Sequence, residues 1–489
     1  MNRSYVRYVL CLCLGIEAIF LIVTSAVALM FKEMDCFLAY FGTGIAAGAI
    51  SLISLRHKPK SNIFFAKEGF MVVALSWVVL SIFGAIPLYM LDEVPTFIDG
   101  LFEIVSGFTT TGATIMDNVE GLSRATIFWR AFTHWIGGMG MLVFALAVLP
   151  GAEGRAIYIM RAESPGPSVG KLVSKLSNTA KILYKIYTVM TLIQVVCLLL
   201  CKMSLFDSVT LSMATAGTGG FGILNDSFVS YSSAVQNVTT VFMILFGINF
   251  NVYYFLLMKD FKSAFKCEEM RWYLGIIFVS AILIAINVYP IYGNVFVTLR
   301  HSFFQVGSII TTTGYASYDF NTWPEFSKTI LLTLMFIGAC AGSTGGGIKV
   351  SRVVILAKDF KNSLRKYIFP REVKNIRFEN KRVDNELASS IRSYISTYFL
   401  IFFVSLILLS LNNLDFFTNF SALASCFNNI GPAFNLAGPM SNYNCFNWFS
   451  KLILIIDMLA GRLELIPMLV LISPILYFKH RKIRVIEDE

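Results

Sequence analysis

Charged residues are scarce in this chain. Only 14% of its 489 residues are Asp, Glu, Lys or Arg, whereas 56% are hydrophobic. A water-soluble protein of this size keeps a much larger charged fraction on its surface. The scarcity of charge therefore excludes a soluble globular protein and indicates that most of the chain lies in a lipid bilayer.

Residues that bind metals or form disulfides are also few. The four histidines, His57, His134, His301 and His480, are far apart in the chain, and no HExxH motif occurs. The nine cysteines form no CxxC pair and lie mostly in or beside apolar segments. These absences argue against an enzyme and against a cofactor held by this chain. We therefore expect His134 to be structural.

Two glycine-rich stretches fit nucleotide-binding motifs only in part. Residues 217–222 match the pattern GxGxxG, but no strand pattern precedes them and no helix pattern follows. Residues 342–349 come near a phosphate-binding loop, but Ile348 separates the glycines from Lys349. We expect no nucleotide site in this chain.

The apolar segments are long enough to cross a membrane as helices. Ten stretches could each span about 30 Å of hydrocarbon. When both termini are placed on one side, most of the 40 lysines and arginines fall there, which predicts that this side is cytoplasmic. The net charge of +10 is thus explained by topology rather than by nucleic-acid binding. The predicted spans begin near Val9, Phe37, Phe70, Ile127, Ile182, Val235, Trp272, Ile330, Ile391 and Leu452.

Four short segments between the spans share a pattern. Each is too short to cross the membrane and leads into small and hydroxyl residues around a glycine, as re-entrant segments do. A small residue precedes each glycine by six positions, so the four segments align as repeats. The glycines are Gly112, Gly220, Gly314 and Gly431, and the small residues are Ser106, Ala214, Ser308 and Ser425.

The repeats predict an all-α polytopic membrane protein. Four units of span, pore helix and span would surround a pseudo-fourfold pore, and two N-terminal spans would be left over. The predicted divisions are 1–66 for the two leading transmembrane helices, 67–165 for repeat 1, 166–265 for repeat 2, 266–380 for repeat 3 with an intramembrane loop, and 381–489 for repeat 4.

The glycine loops indicate a path for cations. Irregular backbone at membrane depth must face protein or water, because hydrocarbon offers its polar groups no partner. Half-helices would direct their partly negative C-terminal ends at the cavity, and glycine lets the next carbonyls turn toward an ion. Residues 91–120 carry six acids and no Lys or Arg, which would attract cations unless these acids are ordinary solvated surface groups. The acids are Asp92, Glu93, Asp99, Glu103, Asp117 and Glu120.

Two features inside the spans need an explanation of their own. Six small residues at 342–347 interrupt one span, and three successive glycines favour a loop over a close helix-packing face. Arg462 lies deep in the last span, where its charge needs water, an acid or an ion path. It is either half of a structural ion pair or a barrier to cations in the pore.

Four motifs in this chain resemble the TrkH branch of the Trk/Ktr/HKT potassium transporters. They are Ser106-Gly-Phe-Thr-Thr-Thr-Gly-Ala-Thr, His134-Trp-Ile-Gly-Gly-Met-Gly, Gly338-Ala-Cys-Ala-Gly-Ser-Thr-Gly-Gly-Gly-Ile-Lys-Val and Gly461-Arg-Leu-Glu-Leu. The resemblance covers essentially the whole chain. It implies K⁺ as the transported ion, a homodimer with one pore per subunit, a cytosolic TrkA-like ring that binds nucleotides, and a place in the cytoplasmic (inner) membrane.

The resemblance also implies roles for individual residues. The carbonyl groups of a K⁺-binding filter would come from Thr110, Thr111, Gly112, Thr218, Gly219, Gly220, Thr312, Thr313, Gly314, Asn429, Ile430 and Gly431. The interrupted span would be the gate, through Gly338, Gly342, Ser343, Thr344, Gly345, Gly346, Gly347 and Lys349. Arg462 would be the pore barrier. The fourth loop, with Asn429 and Pro432, departs most from the other three and raises the question of strict selectivity.

Two modes of transport fit this sequence. A pore of this kind can conduct K⁺ as a channel, gated by the loop and a cytosolic partner. It can also be a symporter that couples K⁺ to Na⁺ or H⁺. In both cases the protein is not an enzyme, and it binds no nucleic acid.

Overall fold

The computed structural model describes residues 3–57, 66–140, 176–369, 375–379, 381–463, 465 and 468–469. Within these ranges the chain is built from α-helices, with one two-stranded hairpin at β1 (Arg377–Phe378) and β2 (Lys381–Arg382). The helices are α1 Arg3–Met30, α2 Met34–Leu55, α3 Ala66–Met90, α4 Phe97–Phe108, α5 Arg124–Met139, α6 Leu176–Leu200, α7 Leu205–Ala216, α8 Ser233–Phe246, α9 Phe250–Leu257, α10 Phe261–Lys266, α11 Glu268–Tyr292, α12 Val295–Ile310, α13 Glu325–Ile337, α14 Val350–Ile368, α15 Asn385–Leu409, α16 Phe416–Phe427 and α17 Trp448–Leu463.

Six of the described helices are long and apolar enough to cross a bilayer unbroken: α1, α2, α3, α6, α11 and α15. A seventh candidate is the pair α8 and α9, which is bent by 91° at a short break. Each of the ten predicted spans coincides with a helix, but α5, α13 and α17 are shorter than a full crossing in their described parts. The prediction of an all-α polytopic membrane protein is confirmed.

The four half-helices are α4, α7, α12 and α16, and each begins at a capping side chain. Thr96, Ser204, Asn294 and Asp415 each accept a hydrogen bond from a backbone N–H group in the first turn of their helix. Such caps satisfy donors that the helix leaves unpaired, and so they set where each half-helix starts. The hydrogen bonds from Thr418 also lower the pKa of the Asp415 carboxyl.

The two leading helices form a pair that covers the first repeat. α1 packs along α2 and also contacts α3 and α5, while the half-helix α4 lies against α3, α5 and α17. Tyr40 of α2 reaches Thr126 of α5 through a buried hydrogen bond of 2.9 Å between hydroxyl groups. These contacts place the first and fourth repeats side by side.

The predicted division of the chain into repeats stays a prediction, and its boundaries can be compared with the described helices. The boundary at 165/166 and residue 380 lie outside the described residues. The boundary at 265/266 falls inside the short helix α10, just before its last residue, Lys266. The boundary at 66/67 lies at the start of α3.

Candidate functional site: a ring of four glycine loops

The four glycine loops meet in a closed ring, and they are numbered 1 to 4 in chain order. A Cβ atom built on Gly112 would meet the carbonyl oxygen of Gly219 in loop 2, and one on Gly220 would meet that of Thr313 in loop 3. A Cβ on Gly314 would likewise meet the carbonyl oxygen of Ile430 in loop 4, and one on Gly431 would meet that of Thr111 in loop 1. In every case the oxygen belongs to the residue just before the next loop's glycine. The loops thus follow one another around an axis in the order 1, 2, 3, 4.

All four loops also share one backbone conformation. Three residues after the end of each half-helix, a backbone N–H group donates to a carbonyl near the C-terminus of that helix. These bonds run from Thr111 to Ser106, from Gly219 to Ala214, from Thr313 to Ser308 and from Ile430 to Ser425, at 2.8–2.9 Å. The acceptors are the four small residues that the sequence aligns. The repeat pattern found in the sequence therefore corresponds to a repeated backbone geometry.

Two residues in each loop have positive φ. The glycines 112, 220, 314 and 431 lie between +79° and +106°, and the residue two positions earlier lies between +52° and +58°. That earlier residue is Thr110, Thr218, Thr312 or Asn429. Because L residues rarely adopt this region, and because a Cβ at the glycine would collide with the next loop, glycine is required at the four ring positions.

An outer cavity of about 80 Å³ opens onto the ring. All four ring glycines line it, together with Thr114, Asn225 and Tyr443 among others. The half-helices end at the ring, so their partly negative C-terminal ends favour a positive charge there. The arrangement can therefore hold a cation in exchange for part of its hydration shell.

The fourth loop keeps this geometry although its sequence differs. Asn429 takes the same positive φ as the three threonines, which asparagine tolerates well. Its side-chain amide donates to the Thr111 hydroxyl at 3.0 Å and to the Met458 carbonyl at 2.9 Å. Asn428 accepts a hydrogen bond from the Tyr398 hydroxyl at 3.0 Å. These polar contacts replace the paired threonine hydroxyls found in loops 1 and 3.

Two of the six acids at the outer entrance are neutralised. Glu103 is fully buried and pairs with Arg130 at 2.7 Å, while Asp99 pairs with Lys451 at 2.6 Å. Other members of the set bind amides of the outer loops. Glu93 accepts from the Ser123 backbone N–H, and Glu120 accepts from the Asn225 backbone N–H. Asp117 accepts from the side-chain amides of Asn442 and Asn444. Part of the acidic cluster therefore stabilises the outer loops, and attraction of cations by the remaining acids stays a prediction.

His134 lies between the first half-helix and the second loop. Its Nδ1 is 2.8 Å from the Gly107 carbonyl, and the Phe221 backbone N–H donates to its Nε2 at 3.3 Å. Because Nε2 accepts, the proton is on Nδ1. A Cβ on Gly219 would overlap the imidazole ring, so the imidazole supports the backbone of loop 2 directly. The contacts agree with a structural role for His134.

The interrupted span forms a loop that packs beneath the ring. Residues 338–349 separate α13 from α14. The Gly346 N–H donates to the Thr312 hydroxyl at 2.6 Å. A Cβ on Gly345 would lie 2.8 Å from the Thr311 carbonyl oxygen, and one on Gly346 would lie 2.6 Å from that of Asn428. These two positions need glycine because the loop touches the ring's third and fourth members.

The other predicted gate residues lie farther from the ring. Gly338 and Gly347 pack against each other at the neck of the loop, where Lys349 N–H donates to the Ile337 carbonyl at 3.0 Å. The Gly342 carbonyl accepts from Phe250 N–H at 3.0 Å, and the Thr344 hydroxyl donates to Phe246 at 3.2 Å. Ser343 Oγ donates to the Cys340 carbonyl at 2.6 Å. The loop is thus held between the ring above and the break between α8 and α9.

Two basic side chains bind carbonyl groups of this loop. The Arg462 guanidinium donates to the Thr344 carbonyl at 2.8 Å and to the carbonyls of Gly137 and Gly138 at the end of α5. The buried Lys349 ammonium donates to the Gly345 carbonyl. Arg462 therefore joins the fourth repeat to the first and to the interrupted span of the third.

Sequence reasoning missed the break between α8 and α9. Residues 247–249 turn the second span of repeat 2 by 91°, and the Asn249 side chain caps α9 by accepting from Asn251 N–H at 3.0 Å. A glycine two residues before a capping asparagine was the available signal. The pairing of Glu103 with Arg130 had no such signal, because these residues are 27 positions apart on different helices.

Comparison with known proteins agrees with this architecture. Residues 37–477 match the family described as TrkH, cation transport protein. The chain is 33% identical to the Trk system potassium uptake protein TrkH of Escherichia coli K12 over 93% of this chain and 95% of that protein. It is 34% identical to TrkG of the same strain over 97% and 99%. The crystal structure of the potassium transporter TrkH from Vibrio parahaemolyticus superposes with a TM-score of 0.86 at 28% identity, covering 98% and 100% of the two chains.

Proposed function

The chain belongs to the TrkH family of cation transport proteins, and from this premise we propose that it takes up K⁺ across the cytoplasmic membrane. The ion would pass by channel-like conduction through the ring of loops. The observation that carries the proposal is the closed cycle of contacts from Gly112 to Gly220, Gly314 and Gly431. K⁺ is the proposed ion because the relatives TrkH and TrkG are named for potassium uptake.

The chemistry of the ring supports selection of a dehydrated monovalent cation. Carbonyl oxygens replace the hydration shell of an ion that fits their spacing. The contacts between neighbouring loops leave no space for a Cβ, so the ring resists collapse. We propose that the three residues ending at each ring glycine form this filter, as the resemblance to the Trk/Ktr/HKT transporters implies.

We propose that residues 338–349 are the gate beneath the filter. The loop closes directly against Thr312, and its conformation depends on hydrogen bonds that can be exchanged without unfolding a helix. Arg462 and Lys349 add two positive charges at this level, which oppose a cation until the loop moves. The gate and the filter are thus adjacent but built from different residues.

We also propose the assembly in which the protein acts. The functional form is a homodimer with one pore per subunit, both termini are cytoplasmic, and a TrkA-like nucleotide-binding ring docks on the cytoplasmic side. α14 supports this docking site, because it leads from the gate loop into a strongly basic stretch. A partner that moves α14 would act on the loop through Lys349.

K⁺ uptake in a bacterium that lacks its own K⁺ transporters tests the function. We expect the wild-type chain to restore growth at low K⁺, with Rb⁺ competing for uptake more strongly than Na⁺. A chain in which Gly112 is replaced by Ser serves as the filter control. Absence of uptake by the correctly inserted wild-type protein, with and without the regulatory ring, would refute the proposal.

Current at controlled voltage in reconstituted bilayers separates the two transport modes. A channel reverses at the K⁺ equilibrium potential whatever the Na⁺ or H⁺ gradient. A symporter's reversal potential moves with the gradient of the second ion. A membrane potential of 100 mV is worth about 2.3 kcal/mol per charge, which suffices for uptake without a coupled ion.

A further inference from the structure

Glu269 is a buried carboxylate near the start of α11, and it binds both sides of the interrupted span. Its side chain is only 3% exposed. One oxygen, Oε1, accepts hydrogen bonds from Ala341 N–H at 2.8 Å and from Ser351 N–H at 3.0 Å. Ala341 lies in the loop, and Ser351 lies in the first turn of α14. A single atom of α11 therefore connects the loop to the helix that follows it.

These two N–H groups need an acceptor that the loop itself does not supply. Ala341 and Ser351 are both buried, and a buried donor without a partner is costly. A side-chain carbonyl oxygen is well suited to this place, because it can accept from both N–H groups and the N-terminal end of α14 is partly positive. Glu269 thus stabilises the conformation in which the loop packs under the ring.

The backbone around Glu269 is tied to the cytoplasmic hairpin. Glu379, in the turn between β1 and β2, accepts from Glu269 N–H at 2.9 Å and from the Cys267 thiol at 3.3 Å. In return, Glu379 N–H donates to Glu268 at 3.3 Å, and Glu268 pairs with Lys358 of α14. Contacts therefore run from the exposed hairpin through residues 267–269 to the loop.

From these contacts we infer that Glu269 is a positioning residue of the gate and that the hairpin formed by β1 and β2 transmits movement of the cytoplasmic face to the loop. This inference rests on the proposed function, in which residues 338–349 are the gate. Glu269 binds backbone N–H groups of the loop and of α14. It acts by holding Ala341 and Ser351 in a fixed relation.

Replacement of Glu269 distinguishes this role from general packing. Glu269→Gln retains an oxygen that can accept both N–H groups, whereas Glu269→Ala removes the acceptor. We expect the glutamine variant to behave nearly as the wild type and the alanine variant to release the loop. Glu386→Ala is the matched control, because Glu386 is an exposed glutamate in the first turn of another membrane helix, α15.

The rate of thiol labelling at Ser343→Cys measures release of the loop directly. The full chain is reconstituted in lipid vesicles, and labelling of its nine native cysteines is subtracted using the chain without Ser343→Cys. With Glu269→Ala we expect labelling to accelerate about tenfold, which corresponds to about 1.4 kcal/mol, a loss no larger than that of two ordinary hydrogen bonds. Glu269→Gln and Glu386→Ala are expected to label at the parent rate.

K⁺ flux, measured in the same vesicles, tests the proposed function separately from this inference. Faster labelling together with higher flux and an unchanged ratio of K⁺ to Na⁺ supports both. Faster labelling without a change in flux supports the positioning role of Glu269 but overturns the loop as the gate. An unchanged labelling rate in Glu269→Ala overturns the positioning role whatever the flux. If the alanine variant does not fold, Glu269→Asp, whose carboxylate is one methylene shorter, is judged by the same labelling criterion.

Discussion

The side-chain amide of Asn429 donates a hydrogen bond to the hydroxyl of Thr111, a residue 318 positions earlier in the chain. This bond of 3.0 Å joins the fourth loop to the first and lies where the ring closes. The loop that differs most in sequence is therefore attached to its neighbour by the residue that makes it different. The departure of loop 4 from the threonine pattern is compensated in the ring and does not leave a gap in it.

Asn429→Ala is expected to loosen the ring and lower selectivity. The change removes the bond to Thr111 and the bond to Met458, and alanine is less stable than asparagine at a φ of +57°. A loss of about 1 kcal/mol per hydrogen bond predicts a fall of several-fold in the permeability ratio of K⁺ to Na⁺. Bi-ionic reversal potentials measure this ratio.

Asn435→Ala is the matched control for this prediction. Asn435 also has a positive φ, of +53°, and its side-chain amide donates to Asp415, but it lies in the outer connection rather than in the ring. Its replacement should leave the ratio unchanged. Equal loss of selectivity in both variants would attribute the effect to general destabilisation of the fourth repeat.

Gly112→Ser is expected to reduce the preference for K⁺ over Na⁺. The added Cβ would meet the Gly219 carbonyl oxygen, and the serine would have to adopt a φ of +79°. The carbonyl must then turn or the two loops must separate, and either change alters the spacing of the oxygens. Gly42→Ser in α2, where an added Cβ meets nothing within 4 Å, controls for the effect of serine itself. Unchanged permeability ratios in well-expressed Gly112→Ser protein would remove this glycine from the filter.

Arg462→Ala is expected to raise K⁺ flux per molecule. It removes a positive charge beneath the ring and the bonds to the Thr344, Gly137 and Gly138 carbonyls. At an effective dielectric constant of about 20, a unit charge repels a cation 4 Å away by about 4 kcal/mol, so even a part of this barrier is measurable. Flux is normalised to the amount of protein in the vesicles.

Arg462→Lys separates the charge of Arg462 from its geometry. Lysine keeps the charge but cannot bind three carbonyls in the same fork arrangement. We expect it to keep flux low if charge forms the barrier. A fall of flux per molecule in Arg462→Ala would instead assign Arg462 to the scaffold that holds the loop and α5 together.

The buried pair of Glu103 and Arg130 is expected to govern stability. Arg130→Met leaves the Glu103 carboxylate buried without its partner, which costs about 3–5 kcal/mol in comparable buried pairs. The pair of Asp359 and Arg392 has the same distance of 2.7 Å, but the arginine is 52% exposed. Arg392→Met should therefore cost about 1 kcal/mol or less. Melting temperatures in detergent, measured for both variants, test this difference, and equal shifts would contradict it.

The sequence alone indicated the membrane, the helices and the fourfold pattern. Periodic apolar stretches, glycines at one place in each repeat and small residues six positions before them are local features, so their meaning does not depend on distant parts of the chain. The interrupted span at 338–349 could be predicted for the same reason, because adjacent glycines disfavour a helix wherever they occur.

Tertiary structure decided which residues meet. The contacts of Asn429 with Thr111, Glu103 with Arg130, Arg462 with Gly137, and Glu269 with Ala341 and Ser351 join separate helices. No local pattern encodes them, because a side chain's partner across the fold is set by how the helices pack around the ring. For that reason the six entrance acids looked alike in the sequence, whereas packing buried and neutralised Asp99 and Glu103 and left Asp117 at the surface.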